Sequence, residues 1–362
     1  MMKMKTPEFA MLTTIPLAIA LALSNGCAAD AASATRTAAT AEATPAVVSD
    51  AALRERAIAL LEKASESDVP QRRANAIEGL SPIGERAKPY VRAGVVDDNP
   101  GVKSIAMLVA GRSGLGELAP FIRPSLKESS PFVRISAIYA LAATKQDVDR
   151  TPLADLLLTD PNPALRAHAA FVLGELGDDS ALPLLKQAAR EGIARASVNA
   201  YQAMQLQIAE AMVALGDESG LQAVRAALFQ SRPEGLELTA LAAQILGRVD
   251  DEASAGNLIY LTAYEEQGRL MPPEVRLAAA RALAQMGRRE GWFVADEYLQ
   301  HEDPLVRALV AHVYGETRGG DELRKLQTLL EDESEDVRIA AASGILQRLE
   351  KRLGERAPGN VD

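Results

Sequence analysis

The residue types best suited to chemistry are few in this 362-residue chain, and their spacing does not group them. It has three histidines, His168, His301 and His312, and a single cysteine, Cys27. Imidazole and thiolate hold zinc when they cluster at short, fixed intervals. No His, Cys, Asp or Glu spacing here forms such a set, so no metal and no cofactor is expected. His301 is followed by Glu302, a metal-binding kind of pair, but one pair supplies too few ligands. Gly111-Arg112-Ser113-Gly114-Leu115-Gly116 has the glycine density of a phosphate loop. It lacks the Gly-Lys-Ser/Thr ending and follows a helical stretch in place of a strand. Its first glycine shares a column with Gly174, Gly216, Gly247 and Gly315, which helix termination would explain. Glu331 to Asp336 places five acids in six residues where a helix begins. The helix dipole favours acids there, and the run lacks a calcium-ligand pattern. The chain is therefore expected not to be an enzyme.

The elements around these residues recur. Taking a basic slot as the anchor, the series runs Arg73, Lys103, Arg134, Arg166, Ile208, Thr239, Arg276, Arg307, Arg338, with gaps of 30, 31, 32, 42, 31, 37, 31 and 31 residues. A period in this range is that of a solenoid, in which each unit buries its apolar face against its neighbours. Pro70, Pro100, Pro131, Pro163, Pro273 and Pro304 stand three before the anchor, where a helix tolerates proline as its first residue. Asn99, Ser130, Asn162 and Asp303 precede them as capping types. Apolar slots at minus one, plus three, plus four and plus seven trace one helical face. Column plus three is alanine in every unit but one, Val310 being the exception, and small residues there let helices approach closely. A second amphipathic stretch lies upstream of each such helix. The expected fold is all-α: a right-handed α-solenoid of about nine antiparallel helix pairs.

The units resemble HEAT repeats, of the short alanine-rich kind also found in the phycobilisome-lyase-like group. The motif stands here as Asp303-Pro304-Leu305-Val306-Arg307 with Val310, Tyr314 and Gly315, and as Asp336-Val337-Arg338 with Ala341 and Ile345. The resemblance implies an armadillo/HEAT-type superhelix in which the basic residue bonds an acid in an adjoining turn. It assigns that ladder role to Arg134, Arg166, Arg276, Arg307 and Arg338, with a break at Ile208 and Thr239. Deoxyhypusine hydroxylase is also built of HEAT-like repeats and binds two irons through several His-Glu pairs. Only His301-Glu302 matches that pattern, and the equivalent positions of other units hold unrelated residues.

In such a stack the second helices line the concave side. Column plus five reads Glu78, Leu108, Tyr139, Phe171, Val213, Gln244, Arg281, His312, Ser343, with Ile105 and His168 adding to it from column plus two. Units two to five are thus apolar or aromatic where solvent is expected. Ile105, Leu108, Tyr139, His168, Phe171 and Val213 read either as a binding groove or as packing between tightly curved helices. The longer gaps put extra residues in Arg190 to Gln205 and in Glu265 to Pro273, and insertions in solenoids often lie at a binding face. Gln347, Arg348, Glu350, Lys351 and Arg352 give the last helix the charged outer face that a terminal unit needs.

The first 50 residues are a different kind of sequence. Lys3 and Lys5 precede an apolar run from Ala10 to Leu23, too short to cross a bilayer and shaped like an export signal. Leu23-Ser24-Asn25-Gly26-Cys27 resembles a bacterial lipoprotein cleavage box, which implies lipidation of Cys27, although Ser24 holds the slot where leucine is usual. Ordinary cleavage after Ala29 or Ala32, giving a soluble secreted or periplasmic protein, is the alternative. Ala28, with no Asp in its place, points to the outer membrane rather than the inner. Residues 28–50 are Ala/Thr-rich without apolar period and suit a disordered tether. The formal net charge of −10 disfavours nucleic acid and anionic lipid faces. The expected organisation is a signal peptide at 1–26, lipidated Cys27 and tether at 27–50, solenoid at 51–354 and a flexible tail at 355–362. The expected function is a non-catalytic interaction scaffold, held in the cell envelope by its lipid and binding a protein or peptide on the concave face. The alternative that the resemblance keeps open is a lyase-like or metal-dependent enzyme, or an enzyme accessory factor.

Overall fold

The computed structural model describes residues 49–193, 196–229, 235–266 and 268–356. Eighteen α-helices alternate along them: α1 Asp50–Ala64, α2 Pro70–Gly79, α3 Lys88–Val95, α4 Pro100–Arg112, α5 Ala119–Ile122, α6 Pro131–Ala143, α7 Thr151–Thr159, α8 Pro163–Leu176, α9 Leu182–Arg190, α10 Val198–Ala214, α11 Leu221–Ala226, α12 Leu236–Arg248, α13 Ala255–Ala263, α14 Pro273–Gln285, α15 Trp292–Tyr298, α16 Pro304–Glu316, α17 Gly320–Leu329 and α18 Glu335–Arg356. They pair as nine units, each with an outer odd-numbered and an inner even-numbered helix, so the expected all-α solenoid is observed. The prolines open the inner helices α2, α4, α6, α8, α14 and α16. Asn99, Asn162 and Asp303 cap as expected, each side-chain oxygen accepting from a first-turn amide at 2.8–3.2 Å. Ser130 holds the cap position of α6 without such a bond.

Packing follows from the small-residue column. Ala76, Ala106, Ala137, Ala169, Ala211, Ala242, Ala279, Val310 and Ala341 are at most 2 % exposed, and each inner helix packs on the next. The glycine column has a different cause from the one its position implies. Gly111, Gly174, Gly247 and Gly315 lie inside their helices, and only Gly216 adopts a left-handed φ, of 88°. A β-carbon on Gly174 would stand 2.9 Å from the Ala211 Cα, and one on Gly247 2.6 Å from the Ala282 Cα. These glycines are there for close approach between inner helices, so helix termination explains Gly216 alone.

The stack does not run open. Helix α18 packs against α16 on one side and against α1 and α2 on the other, so the nine inner helices close into a ring. One apolar cluster accordingly joins Ile58, Ile77 and Leu80 of the first unit to Ile345, Leu346 and Leu349 of the last. Charges sew the same seam: Arg72 donates to Asp336 at 3.0 Å and to Glu335 at 2.6 Å, and Arg54 pairs with Glu350. The expected charged cap on the last helix is therefore corrected. Arg348 is buried and Glu350 faces a partner, because this helix also packs on the first unit; of the five residues Lys351 stays exposed.

The anchor arginines do two things. In Arg73, Arg134, Arg166, Arg307 and Arg338 the guanidinium donates to the carbonyl six residues earlier, at 2.7–2.8 Å, closing off the turn that follows the outer helix. Carboxylate rungs to the next unit occur at Arg73–Asp97, Lys103–Glu128, Arg276–Glu297 and Arg307–Asp332. Of the expected ladder, Arg276 and Arg307 make rungs. Arg134, Arg166 and Arg338 bond main-chain carbonyls, with no acid side chain paired to them among the described residues. Where Ile208 and Thr239 interrupt the anchors, outer helices supply the rungs instead, through Lys186–Asp217 and Arg225–Asp251, both at 2.5 Å.

Candidate functional site

The residues expected to form a concave groove lie together, but they are not an open surface. Leu108 is 5 % and Tyr139 2 % exposed, both inside the apolar cluster of α4, α6 and α8. Ile105, His168, Phe171 and Val213 are partly buried. Closure of the ring curves the inner helices so tightly that column plus five points into a neighbour's side chains. Tyr139 fills the space left by Gly111, whose β-carbon would meet the ring at 2.5 Å. Arg112 then crosses from α4 to α8, past α6, and its Nε donates to Glu175 at 2.8 Å. Its guanidinium also lies 5.5 Å over the Phe171 ring. Burial, then the Glu175 charge, pushes the Tyr139 hydroxyl far above its ordinary pKa. Of the two readings of this column, packing describes Leu108 and Tyr139, while Ile105, His168, Phe171 and Val213 stay partly exposed.

The inner face also carries a set of charges, most of them outside column plus five. Besides Arg112–Glu175, Arg248 holds Glu210 in a two-pronged pair at 2.6 and 2.9 Å, and Glu316 accepts from Arg281 at 3.2 Å and Gln285 at 3.1 Å. Arg112, Glu175, Arg248, Gln285 and Glu316 all stand nine after their anchors. That column was legible as polar, yet which of its members meet depends on helices that are not sequence neighbours.

His168 and His312 belong to this interior. The Nε2 of His168 stands 3.0 Å from the Ser136 Oγ, between the rings of Phe132 and Phe171. Burial lowers its pKa to about 4; burial and the nearby Arg281 charge lower that of His312 to about 3. Unfolded imidazoles take a proton near pH 6.5 while the folded ones stay neutral, so stability is complete above that pH and falls below it. Each histidine should cost at most about 2 kcal/mol between pH 6.5 and 5. Denaturant midpoints at the two pH values check this, and His168→Asn with His312→Gln should flatten the difference. His301 lies apart, its Nδ1 accepting from the Asp303 amide at 3.1 Å. No group of three or more His, Cys, Asp or Glu residues placed to hold a metal occurs among the described residues.

An exposed aromatic row lies on the outer side, where sequence reasoning pointed only through the length of an insertion. Phe229, just after α11, is 52 % exposed and Tyr260 on α13 is 50 % exposed. Their ring centroids are 6.4 Å apart, and Tyr264 continues the row 4.9 Å from Tyr260. Next to them the inserted segment forms a small antiparallel hairpin, β1 Glu265–Glu266 and β2 Arg269–Leu270, with Leu270 44 % exposed opposite Glu265. Cys27 and the export segment lie outside the described residues. Among those described, no helix is long and apolar enough to cross a membrane.

Residues 150–232 and 265–345 match the family described as HEAT repeats. No curated protein matches the chain. Among solved structures, human deoxyhypusine hydroxylase in complex with glycerol is similar at 17 % identity and a TM-score of 0.33, covering 82 % of this chain and 96 % of its own. The complex of CpcE and CpcF of phycocyanin lyase from Nostoc sp. is similar at 19 % identity and a TM-score of 0.40, covering 73 % and 98 %. UNC-45 from Drosophila melanogaster is similar at 14 % identity and a TM-score of 0.24, covering 83 % and 53 %. With its nine helix pairs the chain is an all-α solenoid, carrying HEAT repeats over the two matched segments.

Proposed function

We propose that the protein is a non-catalytic binding scaffold that holds a partner protein on its outer aromatic face. The observation that carries this reading is the row of Phe229, Tyr260 and Tyr264 beside the inserted hairpin. Half-exposed rings in contact, in a chain with only 4 % aromatic residues, form the apolar patch that marks recognition surfaces. The partner is a protein that lays an aliphatic or aromatic segment on these rings. The scaffold is exported and anchored in the cell envelope by lipid at Cys27, facing the periplasm, with the tether keeping it near the membrane. What supports the anchor is the place of the lone cysteine after the apolar run.

Affinity capture after crosslinking in the intact envelope tests both parts. The full chain should capture a defined partner, and Phe229→Ser with Tyr260→Ser should abolish capture while leaving the melting temperature within a few degrees. Cys27→Ser should move the protein from the membrane to the soluble fraction. Capture unchanged by the double substitution would sink the binding face, and unchanged membrane partition would sink the anchor.

A further inference from the structure

Where α16 ends beside the last turns of α18, Gly315, Thr317, Arg318, Arg348, Lys351 and Arg352 line a cavity of about 400 Å³. Arg348 is 3 % exposed. Its Nη1 donates to the Tyr314 carbonyl at 3.3 Å and to the Thr317 Oγ1 at 3.1 Å. Its Nε and Nη2 are buried and have no acceptor among the described residues. Those two donors form the edge of a guanidinium that grips an oxyanion with two parallel bonds. The chain uses that edge elsewhere: Arg73 holds Asp97 with it, Arg225 holds Asp251, Arg248 holds Glu210 and Arg307 holds Asp332. In Arg348 the same edge is buried and unmet. Donors left in this condition are costly.

The cavity wall is mostly basic, while Glu322 and Asp50 act on Arg348 from beyond that wall. Lys351 and Arg318 are exposed at the cavity, and no ion pair engages either among the described residues. Arg352 stands 3.6 Å from Asp50. The one acid on the wall, Glu316, is already held by Arg281 and Gln285. Burial first, then the neighbouring Arg352, pull the Arg348 pKa down to about 10 against the opposing charges of Glu322 and Asp50, and a bound anion would add to that opposition.

We propose that this cavity is a binding site for a small oxyanion, a carboxylate or phosphate group, seated on the Nε–Nη2 edge of Arg348 with Lys351 and Arg318 over it. The site is separate from the outer aromatic face and stands or falls without it. Melting of the full chain in inorganic phosphate, in succinate and in sodium chloride of equal ionic strength tests it. A ligand that binds only the folded state raises the melting temperature in a saturable way. The expected result is such a rise with phosphate or succinate and none with chloride; a rise with one of the two identifies the group. Arg348→Gln should remove the response, and Lys351→Ala with Arg318→Ala, both at exposed positions, should weaken it at least tenfold in ligand concentration while leaving the fold intact. No rise beyond that in chloride, or an unchanged response in the Lys351/Arg318 variant, would overturn the proposal.

Discussion

Tyr139→Ser should destabilise the protein by about 3–5 kcal/mol, the range for truncating a large buried ring. The side chain is at the centre of the cluster joining α4, α6 and α8, and its ring occupies the space that Gly111 leaves open. Removing it opens a cavity beneath Arg112 and Glu175 and takes away the hydroxyl that sits between their charges. Phe171→Ser should cost less, since that ring is only partly buried and touches the guanidinium from outside. Equilibrium denaturation of the two variants gives the comparison. Equal, small losses in both would mean that column plus five faces solvent after all. Because stability in such arrays spreads through neighbour contacts, the Tyr139 variant is also the one expected to divide the melt into two steps.

A disulfide across the seam should stabilise the chain by about 5 kcal/mol less whatever strain it carries. A β-carbon on Gly79 would lie 3.1 Å from that of Ser343, a few tenths of an ångström inside the spacing that disulfides adopt. Gly79→Cys with Ser343→Cys, in a Cys27→Ser background, therefore joins the first unit to the last. The closed loop spans most of the chain, and loops above about 100 residues reach the upper end of the entropic effect. Mild oxidation should consume both thiols, shown by mass, and raise the denaturant midpoint; reduction should return it. Thiols that stay free under oxidation would show an open superhelix in solution.

What could be read from the residues was whatever repeats within one unit. The proline at the first turn, the caps at Asn99, Asn162 and Asp303 and the alanine column each reflect local geometry, and each is found where the period places it. Closure could not be read in this way. It depends on a small rotation per unit summed over nine, and no residue encodes the sum. Two differences between sequence and structure descend from that one fact. Tyr139 and Leu108 read from the sequence either as groove or as packing, and it is the curvature that buries them. Arg348 reads as part of a terminal cap, but the helix has a neighbour on both sides. The glycine column failed for another reason: Gly174 and Gly247 stand near helix ends, so position alone could not separate termination from close approach. The exposed aromatic row was hidden because Phe229, in the turn after α11, and Tyr260, on α13, come from different units, and nothing in either stretch says that the two meet.

The seam changes the boundary condition of the array. In an open stack the first and last units have one neighbour each and fray before the middle does. Here the lattice is periodic: every unit is an interior unit, and there is one more interface than an open stack of the same length would have. Two arcs then connect any pair of units, so a local opening on one arc leaves the other to hold the register. The body behaves as a hoop and not as a spring, resisting the stretching and winding by which open solenoids adapt to what they bind. On the proposed scaffold reading, such a body would offer a partner a fixed outline, and recognition would fall to what is mounted on the rim.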